Sequence, residues 1–197
     1  MVFLSTDEAE EAVSALEMVG ECLSGAQSDL YQWKWAIIAL HNAAQGFMVL
    51  SLRGSNGVDV LTKKAAAAWA EAVAAGRPVP GDRLDTYLNL YSKTKGKRML
   101  KFVGSKRFAP RAGQDDSVRT LNSLRNEFIH FLPKSWSIEV TGLPELFTDV
   151  LDYIEFLGWE CGNVIWFESV LDTRAQVALA QARTELVGLG RLYAESL

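Results

Sequence analysis

The sequence is poor in cysteine and histidine, with two of each among 197 residues. Cys22 and Cys161 lie far apart and outside any pairing motif, which predicts two buried, reduced thiols rather than a disulfide framework. The two histidines are not clustered with cysteines, so a zinc site is not expected. A Gly-rich phosphate loop, a serine nucleophile elbow and a metal-ligand helix motif are also missing, and we predict no cofactor.

Signals for export or membrane insertion are weak. Residues 1–4 are apolar but are followed by acidic residues, without the basic region and long apolar run of a signal peptide. Residues 35–52 contain no charge, yet His41, Asn42 and Gln45 interrupt them, and they fall short of the about 20 apolar residues of a typical span. They predict a helix buried on most sides. We therefore expect a cytoplasmic protein with no membrane partner.

Helical periodicity dominates what is present. It predicts seven helices in a single domain, residues 1–197, and thus an all-α bundle of about six to eight helices. A capping box from Ser5 to Glu8 would open the first helix. The first predicted helix follows this box and ends at residue 25, and the other six cover residues 28–52, 58–75, 82–91, 115–131, 143–161 and 172–196. Residues 136–140 alternate in polarity, but one short extended segment does not make a sheet.

The net charge of -4 does not indicate a nucleic-acid binder, but the basic residues are unevenly distributed. Residues 92–114, predicted to be mostly loop, hold eight basic residues and no acidic one. They also include Phe102 and Phe108, and cations with interleaved aromatic rings suit single-stranded RNA. The alternative is a solvated surface loop. The candidate RNA-binding residues are Lys93, Lys95, Lys97, Arg98, Lys101, Lys106, Arg107 and Arg111.

The fifth predicted helix carries the polar cluster from Arg125 to His130. At about 100° per residue, Arg125 falls inside the apolar stripe, where a charge is costly unless it is paired or lies at an interface. Asn126 and His130 are one turn apart on the neighbouring face. Arg125 and His130 diverge by roughly 140°, so a second copy of the helix is one way to bring them together. The stripe itself comprises Val118, Leu121, Leu124, Phe128 and Leu132.

Arginine, asparagine and histidine together suit phosphoryl chemistry on RNA. An imidazole can remove the proton of a 2′-hydroxyl or protonate a leaving oxygen. An arginine can stabilise the negative charge that builds on the phosphorus group. Arg125, Asn126 and His130 are therefore the candidate catalytic residues. A purely structural interpretation also stands, in which His130 complements the helix dipole and Arg125 pairs with an acid such as Asp149.

The stretch Arg125-Asn126-Glu127-Phe128-Ile129-His130 resembles the Arg-x(4–6)-His motif of the HEPN superfamily, including the polar residue after the arginine. This resemblance implies a helical bundle, a homodimer, and a metal-independent endoribonuclease site shared between protomers, as in toxins or defence effectors with an antitoxin or regulatory partner. The alternative is a non-catalytic HEPN-like module that binds RNA, a nucleotide or a protein. Some HEPN toxins carry a tyrosine two positions after the histidine, where this chain has Leu132, so control by modification of that tyrosine is not expected.

His41, Asn42 and Gln45 form a second polar patch, on the uncharged second helix. They would either contribute to a cleft or dimer seam, or form a satisfied buried hydrogen-bond cluster. Nearby Ala43, Ala44 and Gly46 would permit close packing of a neighbouring helix.

Overall fold

The computed structural model describes residues 1–81, 83–130 and 133–195, and within these ranges it contains seven α-helices and no β-strand. The all-α prediction is therefore confirmed. The helices are α1 Glu8–Gly25, α2 Gln32–Leu52, α3 Lys63–Ala74, α4 Tyr87–Thr94, α5 Gln114–His130, α6 Leu143–Glu155 and α7 Ser169–Ala194. Residues 136–140 form no ladder. Four predicted positions lie outside the described residues. They are the helix start at residue 82, the helix ends at residues 131 and 196, and Leu132 of the apolar stripe.

Several helix starts differ from the prediction for local reasons. Asp7, not a box from Ser5 to Glu8, caps α1, because its Oδ1 atom accepts hydrogen bonds from two first-turn amides at 2.9 Å each. A single 3-10 turn, Val58–Val60, precedes α3. Residues 83–85 pair with residues 60–62 through the bridge between Leu61 and Leu84. This pairing holds the chain extended, so α4 begins only at Tyr87.

Helix α2 lies at the centre of the bundle, in contact with α1, α4, α5 and α6. It is long and apolar enough to cross a membrane, but 67% of its most apolar window is buried inside the protein, as predicted for a core helix. Gly46 permits the close approach to α1, because a Cβ atom there would lie 2.6 Å from the Cβ of Ala12. The interpretation of Gly46 as a close-packing residue is thus confirmed.

Helices α6 and α7 complete the core. Trp33 of α2 packs edge-on against Phe147 of α6, with ring centroids 5.1 Å apart. Its indole N–H donates a hydrogen bond to the hydroxyl of Tyr193 on α7 at 2.8 Å, which satisfies the one polar atom of this ring. Cys22 and Cys161 are buried and unbridged, as predicted.

Helix α5 is most deeply buried at one end, although Leu124 and Phe128 of its second half also pack against the core. Its fully buried residues, Gln114, Val118 and Leu121, lie in the first half, where the helix packs against α2 and α6. From Leu124 onward its residues are half-buried or exposed. The cluster from Arg125 to His130 therefore lies at the surface of the bundle, on a helix whose opposite end the core holds rigidly.

A polar cleft between α2, α4 and α5

The first half of the candidate motif lies in a cleft of about 350 Å³ between α2, the start of α4 and α5. The cleft is polar on three sides. Its polar lining consists of His41 and Gln45 from α2, Asp85, Thr86 and Tyr87 from the start of α4, and Asn122, Arg125 and Asn126 from α5. Residues from three separate parts of the chain thus meet here, and the polar groups among them could orient a ligand.

Arg125 contributes a cation that forms no ion pair with any acid in the described part of the chain. Its Nη1 atom donates a hydrogen bond to Oδ1 of Asn126 at 3.1 Å, and its Nε atom is buried with no partner within the described part of the chain. Asp149, considered above as a structural partner, instead accepts hydrogen bonds from Ser117 at 2.6 Å and Arg111 at 3.4 Å. Among residues 1–81, 83–130 and 133–195, no carboxylate lies within 4 Å of the Arg125 guanidinium.

His41 forms part of the cleft wall and is only 1% exposed. Its ring stacks on Tyr87 with centroids 4.0 Å apart, and its Nε2 atom lies 3.2 Å from Oδ1 of Asn122. Burial lowers the pKa of His41 to about 4, against the opposing effect of the Asn122 hydrogen bond. The imidazole is therefore neutral at pH 7. The tautomer that matches this contact carries its single ring hydrogen on Nε2, because an amide oxygen only accepts.

The other members of the second polar patch diverge. Asn42 is exposed and lines an apolar groove between α1 and α2, while Gln45 lies between that groove and the polar cleft. Nε2 of His41 lies 3.2 Å from Oδ1 of Asn122, and a side-chain interaction with Asn42 also raises the pKa of His41. The patch therefore spans two surfaces and is not one site, and His41 and Gln45 are the members that line the cleft.

Asp85 is the carboxylate of the cleft, and other groups already hold it. It accepts hydrogen bonds from Asn89 at 2.7 Å and from the Thr86 amide at 2.9 Å, and it forms an ion pair with Lys93 at 2.7 Å. Burial raises the pKa of Asp85, but these partners together outweigh burial and hold it below its ordinary value. Asp85 is thus ionised at neutral pH and its charge is compensated by Lys93.

His130 lies outside the cleft. It is the last residue of α5, it is exposed, and it does not line the cleft that contains Arg125 and Asn126. Within one copy of the chain, the two ends of the motif therefore face different surroundings.

Most of the predicted RNA-binding cations take part in ion pairs. Lys93 pairs with Asp85, Lys95 with Asp115, Arg98 and Lys101 with Asp59, and Arg111 with Asp149 and Asp152. Lys97, Lys106 and Arg107 are exposed and form no ion pair with any residue that the structure describes.

The two aromatic residues of the basic segment also differ from each other. Phe108 is 7% exposed and packs against Tyr91, Tyr153 and Phe156, so it is a core residue and not a platform for bases. Phe102 is 54% exposed. The surface available for RNA on this segment is therefore smaller than its composition indicates.

Sequence reasoning missed Tyr87, Asp85 and Asn122. Asn122 could have been found, because it precedes Arg125 by three residues and Asn126 by four and so shares their face of the helix. Tyr87 and Asp85 offered no such signal, since the extended pairing of residues 83–85 places them. No protein-family model, no curated protein and no solved structure matches this chain.

Proposed function

We propose that this protein is a metal-independent endoribonuclease with an active site shared between two copies of the chain. The observation that carries the proposal is the half-buried Arg125, which faces a polar cleft and has no ion-pair partner among the described residues, while His130 stands exposed at the end of the same helix. This arrangement accords with the resemblance of Arg125 to His130 to the HEPN motif. On the same resemblance, the proposal extends to a toxin or defence effector that is restrained by a regulatory partner.

The need for a second copy follows from the protonation chemistry. A general base must lie within hydrogen-bond reach of the proton it removes. The imidazole in the cleft, His41, is 1% exposed and hydrogen-bonded to Asn122, which makes it a poor proton carrier. His130 is the accessible imidazole, but it lies outside the cleft of its own copy. In a symmetric dimer, His130 of one copy would face Arg125 of the other.

The proposed reaction is transesterification of RNA. A 2′-hydroxyl attacks the adjacent phosphorus, its proton passes to His130 from a second copy, and the bond from phosphorus to the 5′-oxygen breaks. The 5′-oxygen takes up a proton from solvent water, which leaves a cyclic 2′,3′-phosphate and a free 5′-hydroxyl. Arg125 stabilises the charge on the non-bridging oxygens, as a preorganised donor fork. DNA lacks the attacking hydroxyl and would not be cleaved.

The first experiment measures cleavage of a mixed RNA pool by the purified protein in EDTA. Wild-type protein should produce cyclic phosphate ends, and His130→Ala should abolish cleavage without a change in melting temperature. Arg119→Ala is the matched control, since Arg119 is an exposed arginine on the same helix that does not line the cleft. If wild type and His130→Ala both leave RNA intact, the protein is instead a binding module.

The second experiment tests the shared site by complementation. Arg125→Ala and His130→Ala are each inactive alone, but a mixed dimer has one site with both groups intact. With random mixing of a symmetric dimer, about a quarter of wild-type activity should return. Failure of the mixture to recover activity would contradict a shared site even if the wild type cleaves RNA.

A further inference from the structure

The donor groups of the cleft point to a specific ligand chemistry. We propose that the cleft between α2, α4 and α5 binds a phosphate group within a single copy of the chain, through Arg125, Asn122 and Asn126, and that His41 is the positioning residue that orients Asn122. The identity of the ligand as a ribonucleotide phosphate rests on the proposed function, whereas the anion site rests on the geometry alone.

The three donors share one face of α5. Asn122, Arg125 and Asn126 are separated by three and four residues, so they lie on adjacent turns of the same face. The orientation of Asn126 follows from its neighbour. Because a guanidinium can only donate, the oxygen of Asn126 must face Nη1 of Arg125, 3.1 Å away. The NH2 group of Asn126 is thereby directed away from the arginine and remains available to a ligand.

His41 sets the orientation of Asn122 in the same manner. The ring of His41 is held by burial and by stacking on Tyr87 at 4.0 Å, so its Nε2–H has a fixed direction. This group donates to Oδ1 of Asn122 at 3.2 Å. The Asn122 oxygen is therefore occupied on the side of α2, and its NH2 group is directed away from His41. With the ring hydrogen on Nε2, the neutral imidazole disfavours the flipped Asn122 amide, because two donors would then face each other.

The charge balance of the cleft favours an oxyanion. The carboxylate of Asp85 has three partners, Lys93 compensates its charge, and it forms no ion pair with Arg125. A half-buried cation without a counterion is costly, and an anionic ligand would remove that cost. Two further side-chain atoms at the cleft, Nε of Arg125 and the hydroxyl of Tyr87, are buried without a partner among the described residues. The first can only donate and the second can donate or accept, so both could donate to an oxyanion.

The binding experiment uses calorimetric titration of the full chain with 3′-AMP, in EDTA and at low salt. This nucleotide carries the phosphate beside a 2′-hydroxyl, and it has no downstream bond to cleave. 3′-AMP should bind, inorganic phosphate should compete with it, and adenosine should not bind. Arg125→Lys retains the charge but loses the fork, so it should weaken binding at least about tenfold. Arg119→Lys, the matched control on α5, should leave binding unchanged.

A pair of substitutions isolates the positioning role of His41. His41→Gln retains a donor near the place of Nε2 and should keep binding within about threefold of wild type, whereas His41→Asn removes that donor and should weaken binding about tenfold. Melting temperatures of both variants identify any loss caused by unfolding. The side-chain NH2 signals of Asn122, followed by NMR, should shift on addition of 3′-AMP in wild type and in His41→Gln.

The outcomes separate this inference from the proposed function. Binding of 3′-AMP that depends on Arg125, without any cleavage of RNA, would support the anion site and contradict the nuclease. If the wild type cleaves RNA but wild type and Arg125→Lys bind 3′-AMP equally well, the anion site is overturned. Equal binding by His41→Gln and His41→Asn, or unmoved Asn122 signals, would overturn the role of His41.

Discussion

Substitution of Lys93 with methionine tests whether this cation serves the fold or RNA. The Nζ atom of Lys93 lies 2.7 Å from Oδ2 of Asp85 and 2.7 Å from the carbonyl oxygen of Leu61. The side chains of this pair are only 12% and 6% exposed. Loss of one partner from a buried ion pair costs about 3–5 kcal/mol, because the other charge remains uncompensated. The hydrogen bonds from Asn89 and the Thr86 amide remain on the carboxylate, so we expect about 3 kcal/mol.

The same substitution should affect the cleft. In Lys93→Met, the Asp85 carboxylate loses its cation and becomes a competitor for Arg125. Binding of 3′-AMP should therefore weaken in this variant. The double variant Asp85→Asn with Lys93→Met removes both charges, and we expect it to recover most of the stability and of the binding.

The stability cost of Lys93→Met can be measured by urea denaturation followed by tryptophan fluorescence, since the chain has six tryptophans. Lys97→Met is the control, because Lys97 is exposed and forms no ion pair with the described residues, and its substitution should change the free energy of unfolding by less than about 0.5 kcal/mol. The reasoning is refuted if Lys93→Met costs no more stability than Lys97→Met.

The pH dependence of the deficit gives a second criterion. The pKa of Asp85 is lowered in the folded protein, so its ion pair stabilises the fold above the unfolded pKa and is lost as the pH falls through the folded one. The deficit of Lys93→Met relative to wild type should therefore shrink as the pH is lowered below about 4. A deficit that stays constant down to this range would mean that lost packing of the lysine stem, not lost charge, is responsible.

Two further predictions concern α2. Gly46→Ala should lower the free energy of unfolding by about 1–3 kcal/mol, because its methyl group would lie 2.6 Å from the Cβ of Ala12. The control Gly188→Ala, where the added methyl group meets open space, should raise the free energy of unfolding by up to about 1 kcal/mol. Equal effects of the two substitutions in denaturant titrations would contradict the close approach of α1 and α2. The pKa of His41 falls from 6.5 to about 4 on folding, so the neutral ring is favoured and stability should decline by about 3 kcal/mol as the pH falls from 6.5 towards 4. In unfolding curves across this range, His41→Gln should lack most of that decline.

The fold class and most helix positions could be predicted from the sequence, because apolar spacing is a local property. The helix starts were less predictable where competing contacts decide them. Residues 83–85 pair with residues 60–62, and this non-local pairing delays the start of α4 to Tyr87. The cap of α1 depended on which of three neighbouring polar side chains reached the free amides, and Asp7 is the one that did.

The candidate site was predicted in part. The cluster on α5 was recognised because its residues are contiguous, and Asn122 was within reach of the same helical reasoning. Asp85 and Tyr87 were not, since their approach to α5 depends on tertiary packing. The same limit applies to the basic segment. Its eight cations look free in the sequence, but acids from other elements, such as Asp59 and Asp149, neutralise several of them in the fold.

The geometry of α5 divides the proposed chemistry into two parts. The core holds the first half of the helix, which fixes the direction in which each later residue points. Arg125 is thereby committed to the cleft of its own copy, and His130 to the surface beyond it. A five-residue separation cannot bring both onto one face of a helix, because it corresponds to a rotation of roughly 140°. On this proposal, a single copy suffices to bind the phosphate, and the second copy is needed only for proton transfer, so assembly itself switches the bound nucleotide from ligand to substrate.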